Sequence, residues 1–335
     1  MSADPRVAVV GGSGAVGRTI LRLLKERSFP AASVTALASS RSAGLEVEGV
    51  VVEDIETADL SQFDLALFSA GSSVSEEWGP RFVEAGAVVV DNSSHWRMDP
   101  KVPLVVAEVN PEALEGHSGI VANPNCSTMQ AMVVLKPILD AVGIDRLVFS
   151  TYQAVSGTGV KALDELKSQA QAVLDGTTPD PAKVYPHQIA FNVIPQVENF
   201  KDGDDYTTEE RKMMAETRKI LNLPSLAITA TCARVPVMNG HSESVNLQTT
   251  AETTPDALRE ILSSAPGVVV VDDPAAGVYP MAVDGSGRDE VLVGRIRVDD
   301  SAPRSINLWI VGDNLRKGAA TNAVQVAELL VKRGL

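Results

Sequence analysis

Arg6-Val7-Ala8-Val9-Val10 runs straight into Gly11-Gly12-Ser13-Gly14-Ala15-Val16-Gly17, and Ile20, Leu21, Leu23 and Leu24 follow. The opening run is short and β-branched, as a buried strand is. The leucines and isoleucine beyond it recur at helical spacing. Strand, glycine turn and helix, in that order, form the setting in which a glycine fingerprint carries meaning. The segment fits G-x-G-x-x-G through Gly12, Gly14 and Gly17, and G-x-x-G-x-x-G through Gly11, Gly14 and Gly17. Glycines let the backbone approach a pyrophosphate, whose charge then sits on the helix N-terminus. The glycines alone also fit a plain tight turn. The flanking strand and helix favour a dinucleotide, with Gly11, Ser13, Gly14, Ala15, Val16 and Gly17 as its candidate contacts.

The next strand, 34–38, ends in Ser39-Ser40-Arg41-Ser42. A cofactor without a 2′-phosphate usually meets an acidic residue here, bonded to its ribose hydroxyls. Hydroxyls and a guanidinium suit a 2′-phosphate instead, so Ser39, Ser40 and Arg41 predict NADP over NAD. A solvated polar loop is the alternative. Parallel-type strands follow at 65–69, 87–91 and 119–122, with a helix over 75–85. This alternation predicts a Rossmann-type, doubly wound α/β domain. Ligands of such sheets bind at the carboxyl ends of the strands. Ser69-Ala70-Gly71-Ser72, Asp91-Asn92-Ser93-Ser94 and residues 123–128 are therefore cleft candidates. Arg97 lies just past the second group and by itself reads as a surface charge.

Residues 123–128 spell Asn-Pro-Asn-Cys-Ser-Thr. Asn125, Ser127 and Thr128 can each cap a helix start, and Met129, Met132, Val133, Ile138 and Leu139 continue at roughly helical spacing. Cys126 thus sits at a helix N-terminus, where unpaired N–H groups and the dipole favour thiolate. Thiolate is the form that attacks carbonyls. A small, inert, buried cysteine at a loop–helix junction is the plainer reading.

The whole chain has 335 residues, 44% hydrophobic and 21% charged, with a net charge of −14. That length suits two domains. The negative charge opposes nucleic acid or an anionic membrane as partner, and an anionic substrate needs a local basic pocket. The two cysteines are far apart, which gives neither a disulfide framework nor zinc-ligand spacing; no metal is expected. A reducing cytoplasm fits best. The N-terminal residues resemble no signal peptide, and no run of about 18 apolar residues suggests a membrane span.

From about Asp145 the pattern changes to long strands at 146–154, 227–235, 242–250, 290–298 and 305–311. Strands without a helix at every step predict an α+β domain with a mixed or antiparallel sheet. Helices are expected at 208–221 and 255–264, and along the stripe Val160, Leu163, Leu166, Ala170, Val173 and Leu174. A last helix, 320–331, is expected to return to the first domain. The domain division is therefore 1–125 with 314–335, and 126–313. Gln153 lies near a strand end in Tyr-Gln-Ala-Val-Ser-Gly-Thr-Gly, whose glycines can approach a cofactor. Glu209 and Lys212 share a helix face, and a bland surface pair fits them equally. Arg234 ends a strand. His241 follows Asn239-Gly240, a hairpin-like turn that would bring it near Arg234.

Together these residues resemble the aspartate-β-semialdehyde dehydrogenase family over essentially the whole chain. The motifs that carry the resemblance are Gly-Gly-Ser-Gly-Ala-Val-Gly at 11–17, Asn-Pro-Asn-Cys-Ser-Thr at 123–128 and Tyr-Gln-Ala-Val-Ser-Gly-Thr-Gly at 152–159. Thr-Glu-Glu-Arg-Lys at 208–212 and Arg-Val-Pro-Val-Met-Asn-Gly-His at 234–241 complete them. The glycine motif alone is unspecific; the others are specific jointly. The resemblance implies NADPH-dependent reductive dephosphorylation of L-aspartyl 4-phosphate to the semialdehyde, a branch-point step towards lysine, methionine and threonine. It makes Cys126 the nucleophile, His241 the acid/base and Gln153 the residue that orients the substrate. Arg234 would pair with the substrate carboxylate and Glu209 with its amino group. Arg97 and Lys212 would bind the phosphate, with Asn125 close by. Ser156, Gly157 and Asn314 would touch the cofactor. A homodimer or homotetramer through the second domain is implied too.

Rival readings share the thioester chemistry. N-acetyl-glutamyl-phosphate reductase typically has Gly-Cys where Asn125-Cys126 stands, and glyceraldehyde-3-phosphate dehydrogenase has its histidine much closer to the cysteine. An archaeal-type malonyl-CoA reductase shares more of the motifs, but its substrate offers Glu209 no amino group. A non-enzymatic NADP-binding sensor is the reading from another class, since fold does not fix function.

Overall fold

A computed structural model describes residues 4–335, and the chain divides into two compact units. One runs up to Asn125 and resumes over Gly318–Leu335; the other is Cys126–Lys317. The first begins with β1 (Arg6–Val10), α1 (Ala15–Glu26), β2 (Ser33–Ala38), β3 (Glu46–Val47) and β4 (Val50–Asp54). It continues with β5 (Leu65–Phe68), α2 (Ser72–Glu84), β6 (Val88–Asp91) and β7 (Ile120–Ala122). The strands form one sheet in the order β3-β4-β2-β1-β5-β6-β7. Every pairing is parallel except β3 with β4. β1 and β5 are almost wholly buried, as parallel strands covered on both faces are. The Rossmann-type expectation holds. The added β3–β4 edge escaped the sequence reading because both strands are short and carry charges.

The second unit opens with α3 (Cys126–Val142), β8 (Ile144–Gln153), α4 (Val160–Leu174), α5 (Thr208–Leu221), β9 (Ala227–Arg234) and β10 (His241–Thr249). α6 (Pro255–Ser263), β11 (Val268–Val270), α7 (Ala282–Gly285), β12 (Val291–Val298) and β13 (Ser305–Gly312) follow. Its sheet is mixed, in the order β11-β12-β13-β10-β8-β9. β8 is parallel to β9 and β11 to β12; the other pairings are antiparallel. α3 packs on β8, β10, β12 and β13, and α5 on β9. β10 alternates: His241, Glu243, Val245 and Leu247 are fully buried, while Ser244, Asn246 and Gln248 are partly exposed. α5 starts at a reciprocal cap, Glu210 N to Thr207 Oγ1 at 3.3 Å and Thr207 N to Glu210 Oε2 at 2.7 Å, a device worth about 1 kcal/mol.

The hairpin expected between Arg234 and His241 does not form. β8 lies between β9 and β10, so the connection straddles the end of β8. Val155 N and Ser156 N donate to Val237 O and Met238 O there, at 2.8 and 3.1 Å, and hold the straddle down. The apolar stripe of α4 is also only partly a core face. Ala162 and Leu166 are buried, but Val160 and Leu174 at its ends are 59% and 73% exposed.

The last helix, α8 (Asn322–Arg333), packs on β5, β6 and α1 within the first unit. Its Ala323, Val324, Ala327 and Leu330 join the core of Val9, Ile20, Leu24 and Leu67. Asn322 donates to Val105 O at 2.8 Å and to Asn123 Oδ1 at 2.6 Å, which clips the returning chain to the sheet. The return crossing falls at Lys317–Gly318 rather than before Asn314. Asp313 and Asn314 stay with the second unit because their side chains bond Asn239, Gly240 and Ser156. α8 begins after a π turn over Arg316–Thr321, slightly later than expected.

Candidate active site

Cys126 is the first residue of the 17-residue α3, half-buried, and the helix behind it is buried through Leu135. A thiol there lies at the positive end of the helix dipole, which favours negative charge. Its Sγ lies 3.3 Å from Nε2 of His241, 115 positions away. His241 opens β10 and is fully buried. Its Nδ1 accepts the Ala154 N–H at 3.0 Å. An acceptor at Nδ1 leaves the single proton of a neutral imidazole on Nε2, facing the sulfur. Burial, then the Arg234 guanidinium, push the imidazolium down to about 3, against an opposing pull from Glu209. His241 is therefore neutral at physiological pH and donates from Nε2.

Sheet register supplies the neighbours. Gln153 pairs with Arg234 across β8 and β9, and Tyr152 pairs with Ser242 across β8 and β10. Gln153, Arg234 and His241 thus share one end of three adjacent strands. Gly157 lies against two of them: a Cβ there would be 3.3 Å from Arg234 Nη1 and 3.4 Å from His241 Nε2. Only a residue without a side chain leaves that space open. Arg234 is buried and donates from Nη1 to Ala154 O at 2.7 Å, while its Nε is buried with no acceptor among the described residues. Gln153 Nε2 donates to Glu209 Oε1 at 3.0 Å. Glu209 also pairs with Lys212 at 2.8 Å, and Lys212 with Glu198 at 2.6 Å. Burial opposes the ammonium of Lys212, but Glu209 and Glu198 outweigh it and raise its pKa. The Glu209–Lys212 pair is therefore no bland surface pair: Glu209 is 2% exposed.

Ser156 and Asn314, expected at the cofactor, bond each other: Asn314 Nδ2 donates to Ser156 Oγ at 2.8 Å. Asn314 Oδ1 accepts the Gly240 N–H at 3.0 Å, and Ser156 Oγ donates to Asn239 at 2.9 Å. They clamp the turn that delivers His241. The sequence reading missed Asp313, whose Oδ2 holds Asn239 at 2.8 Å; its place in Gly312-Asp313-Asn314, at a strand end, was the available signal. It also missed Gln130 and Glu243, which bond each other at 2.8 Å.

In the first unit, Gly11 has φ +82°, and a Cβ there would lie 2.9 Å from the Ser69 carbonyl carbon. A Cβ on Gly17 would overlap the Gly11 carbonyl oxygen. The turn is thus a bare backbone cradle, and Ala15 and Val16 begin the helix behind it. No side chain caps α1 at Gly14, which suits a phosphate at that end. Ser13 Oγ donates to Ser42 Oγ at 3.3 Å, next to the exposed Ser39, Ser40 and Arg41. This set fits the pyrophosphate and 2′-phosphate of a dinucleotide. Arg97 is not a surface charge. It is buried and donates to Asn123 O at 2.9 Å and Asn92 O at 2.8 Å, at the carboxyl ends of the strands. Asn125, just before Cys126, is buried too. The description of a small, inert, buried cysteine fits Cys232, which is buried beside Met213 Sδ at 3.6 Å, where burial pushes its thiol pKa up.

Residues 6–117 match the family described as semialdehyde dehydrogenase, NAD binding domain, and residues 135–317 match semialdehyde dehydrogenase, dimerisation domain. The aspartate-semialdehyde dehydrogenase of Aquifex aeolicus is 52% identical over 98% of this chain and 99% of its own. The crystal structure of aspartate semialdehyde dehydrogenase II from Vibrio cholerae, complexed with ASA, is 47% identical with TM-score 0.95, covering all of both chains. The Candida albicans aspartate semialdehyde dehydrogenase structure with NADP is 26% identical, TM-score 0.76, over 99% of this chain and 100% of that one.

Proposed function

The chain belongs to the aspartate-semialdehyde dehydrogenase family, and from that premise we propose that it reduces L-aspartyl 4-phosphate to L-aspartate 4-semialdehyde through an acyl-thioester on Cys126. The observation that carries this is the 3.3 Å approach of Cys126 Sγ to a His241 Nε2 that holds a proton. The Cys126 thiolate attacks the acyl carbon; the C–S bond forms, the C–O bond breaks, and phosphate leaves with the electron pair. Bound NADPH supplies the hydride that reduces the thioester carbon. His241 Nε2–H and the N–H groups at the head of α3 steady the oxygen that becomes negative. The C–S bond then breaks, which frees the aldehyde and returns the thiolate.

Substrate recognition follows from charge. A carboxylate suits the planar guanidinium of Arg234, whose buried Nε lacks an acceptor among the described residues. Glu209 offers its carboxylate to the ammonium, and Gln153, bonded to Glu209, sets the substrate's orientation. Lys212 and Arg97 are the cations for the phosphate; Lys212 must first exchange Glu198 for a phosphate oxygen. The cradle of Gly11, Gly14 and Gly17 holds the pyrophosphate, with Ser39, Ser40 and Arg41 at the 2′-phosphate. The thiol needs a reducing compartment, the cytoplasm in our reading. A second copy docks through the second unit, where Tyr152 and Trp309 of the sheet line one hollow with the exposed Tyr279 and Met281.

The reverse reaction tests the proposal. Aspartate semialdehyde, phosphate and NADP are expected to give rising absorbance of reduced nicotinamide, with NADP preferred to NAD in kcat/KM. No signal from folded protein sinks it.

A further inference from the structure

Cys126 and Gln130 lie one turn apart on α3, and His241 and Glu243 lie one repeat apart on β10, each pair on one face. Four residues of helix rise about 6 Å, and two residues of strand rise about 6.8 Å. The two spacings match, so the helix and the strand meet twice. Sγ and Nε2 meet at 3.3 Å, and Gln130 Nε2 donates to Glu243 Oε1 at 2.8 Å. Gln130 Nε2 also reaches His241 O at 3.5 Å. Gly312, opposite His241 on β13, makes room: a Cβ there would lie 2.7 Å from Gln130 Oε1.

Gln130 and Glu243 are both fully buried. Gln130 Oε1 and Glu243 Oε2 have no hydrogen-bond partner among the described residues. With Glu243 ionised, both orphans are acceptors and neither can satisfy the other. An ionised carboxylate with one hydrogen bond in such a place is costly. A proton on Oε2 turns that oxygen into a donor and keeps negative charge away from the thiolate end of α3.

We propose that Gln130 and Glu243 are positioning residues for the Cys126–His241 pair, forming a second rung between α3 and β10 in which Glu243 is a neutral carboxylic acid. This inference rests on the proposed function for its kinetic arm only. Burial, and to a lesser degree Glu209, raise the Glu243 pKa well above the carboxylate range, with Gln130 opposing. Among the titratable groups around it, Glu209 comes from α5, Cys232 from β9, and Cys126 and His241 from the adjoining rung.

The test compares Glu243→Gln, Glu243→Leu and Gln130→Leu in the full chain. Glutamine accepts and donates as the neutral acid does, so Glu243→Gln is expected to rescue what Glu243→Leu loses. Both leucine variants should lower kcat about tenfold to a hundredfold, the scale of a misplaced reacting group, with KM and NADP affinity little changed. Their pH profile for iodoacetamide alkylation of Cys126 should move, and that of Glu243→Gln should not. Equal losses in Glu243→Gln and Glu243→Leu overturn the neutral acid, and folded leucine variants with native kcat and alkylation profile overturn the rung. Should the leucine variants not fold, infrared difference spectra of the native chain against Glu243→Gln decide. A protonated carboxyl band must persist at neutral pH, and its absence overturns the proposal. A native chain that alkylates and shows the band but does not turn over the semialdehyde defeats the proposed reaction, not the rung.

Discussion

In the turn at the head of α1, a methyl on Gly17 would lie 2.8 Å from the Gly11 carbonyl carbon, six residues back; in the second unit Cys126 meets His241 across 115 positions. The turn is made by leaving atoms out. Backbone approaches backbone, and the neighbours that matter are nearby in the chain. The thiol–imidazole pair is made by bringing groups in, and three strands and a helix must be in register first. A local device fails when something is added to it, and a long-range device fails when something is removed or shifted.

Removing the proposed nucleophile is the strongest way to break the second device while sparing the first. Cys126→Ser is expected to cut turnover by more than about 10⁴-fold and leave NADP affinity unchanged. Activity of a few per cent would show that the nucleophile lies elsewhere. Arg234→Lys keeps the charge but loses the planar fork. It should raise KM for the semialdehyde about tenfold or more, with a smaller change in kcat; an unaltered KM takes Arg234 out of the substrate site.

Adding atoms should break the first device alone. Gly17→Ala has no flexible neighbour to yield, so a loss of about 1–3 kcal/mol in stability and a clear loss of NADP affinity are expected. Alkylation of Cys126 should stay native, and a matching loss there would end the contrast. Gly14→Ala sharpens the point. Its Cβ would meet only Gly11 O, at 3.4 Å, so its effect on NADP titrations should be several-fold smaller than that of Gly17→Ala.

The pH dependence separates the two regions again. The folded state holds the His241 imidazolium at about 3 against an ordinary 6.5. The unfolded chain therefore binds the extra proton first, and stability falls as pH drops below about 6.5, by at most about 1.4 kcal/mol per unit. His241→Asn should flatten that part of the unfolding midpoint against pH, whereas Gly14→Ala should shift the curve without changing its slope. An identical slope in His241→Asn and the native chain refutes the buried neutral imidazole.

Much of this was legible along the chain. Most strands and helices fall within a few residues of the expected bounds because burial imposes period 2 or period 3.6 on the apolar positions. The candidate site residues were named through motif resemblance. What placed them together was not. The supposed hairpin between Arg234 and His241 shows why: turn chemistry at Asn239-Gly240 reports a reversal, but not that β8 occupies the gap. Glu243 was legible only in retrospect. It shares the alternation of His241, Val245 and Leu247, so an acid stood at an inward position of β10.

By itself the sequence determined the glycine cradle and the helix behind Cys126, because each depends on residues near one another in the chain. Only the tertiary structure decided which nitrogen of His241 faces the sulfur, that Lys212 is a cation paired with both Glu209 and Glu198, and that Glu243 stands behind the pair. Those properties depend on hydrogen-bond partners and burial contributed by distant strands, and no local pattern encodes the register that brings them within 3 Å or so of each other.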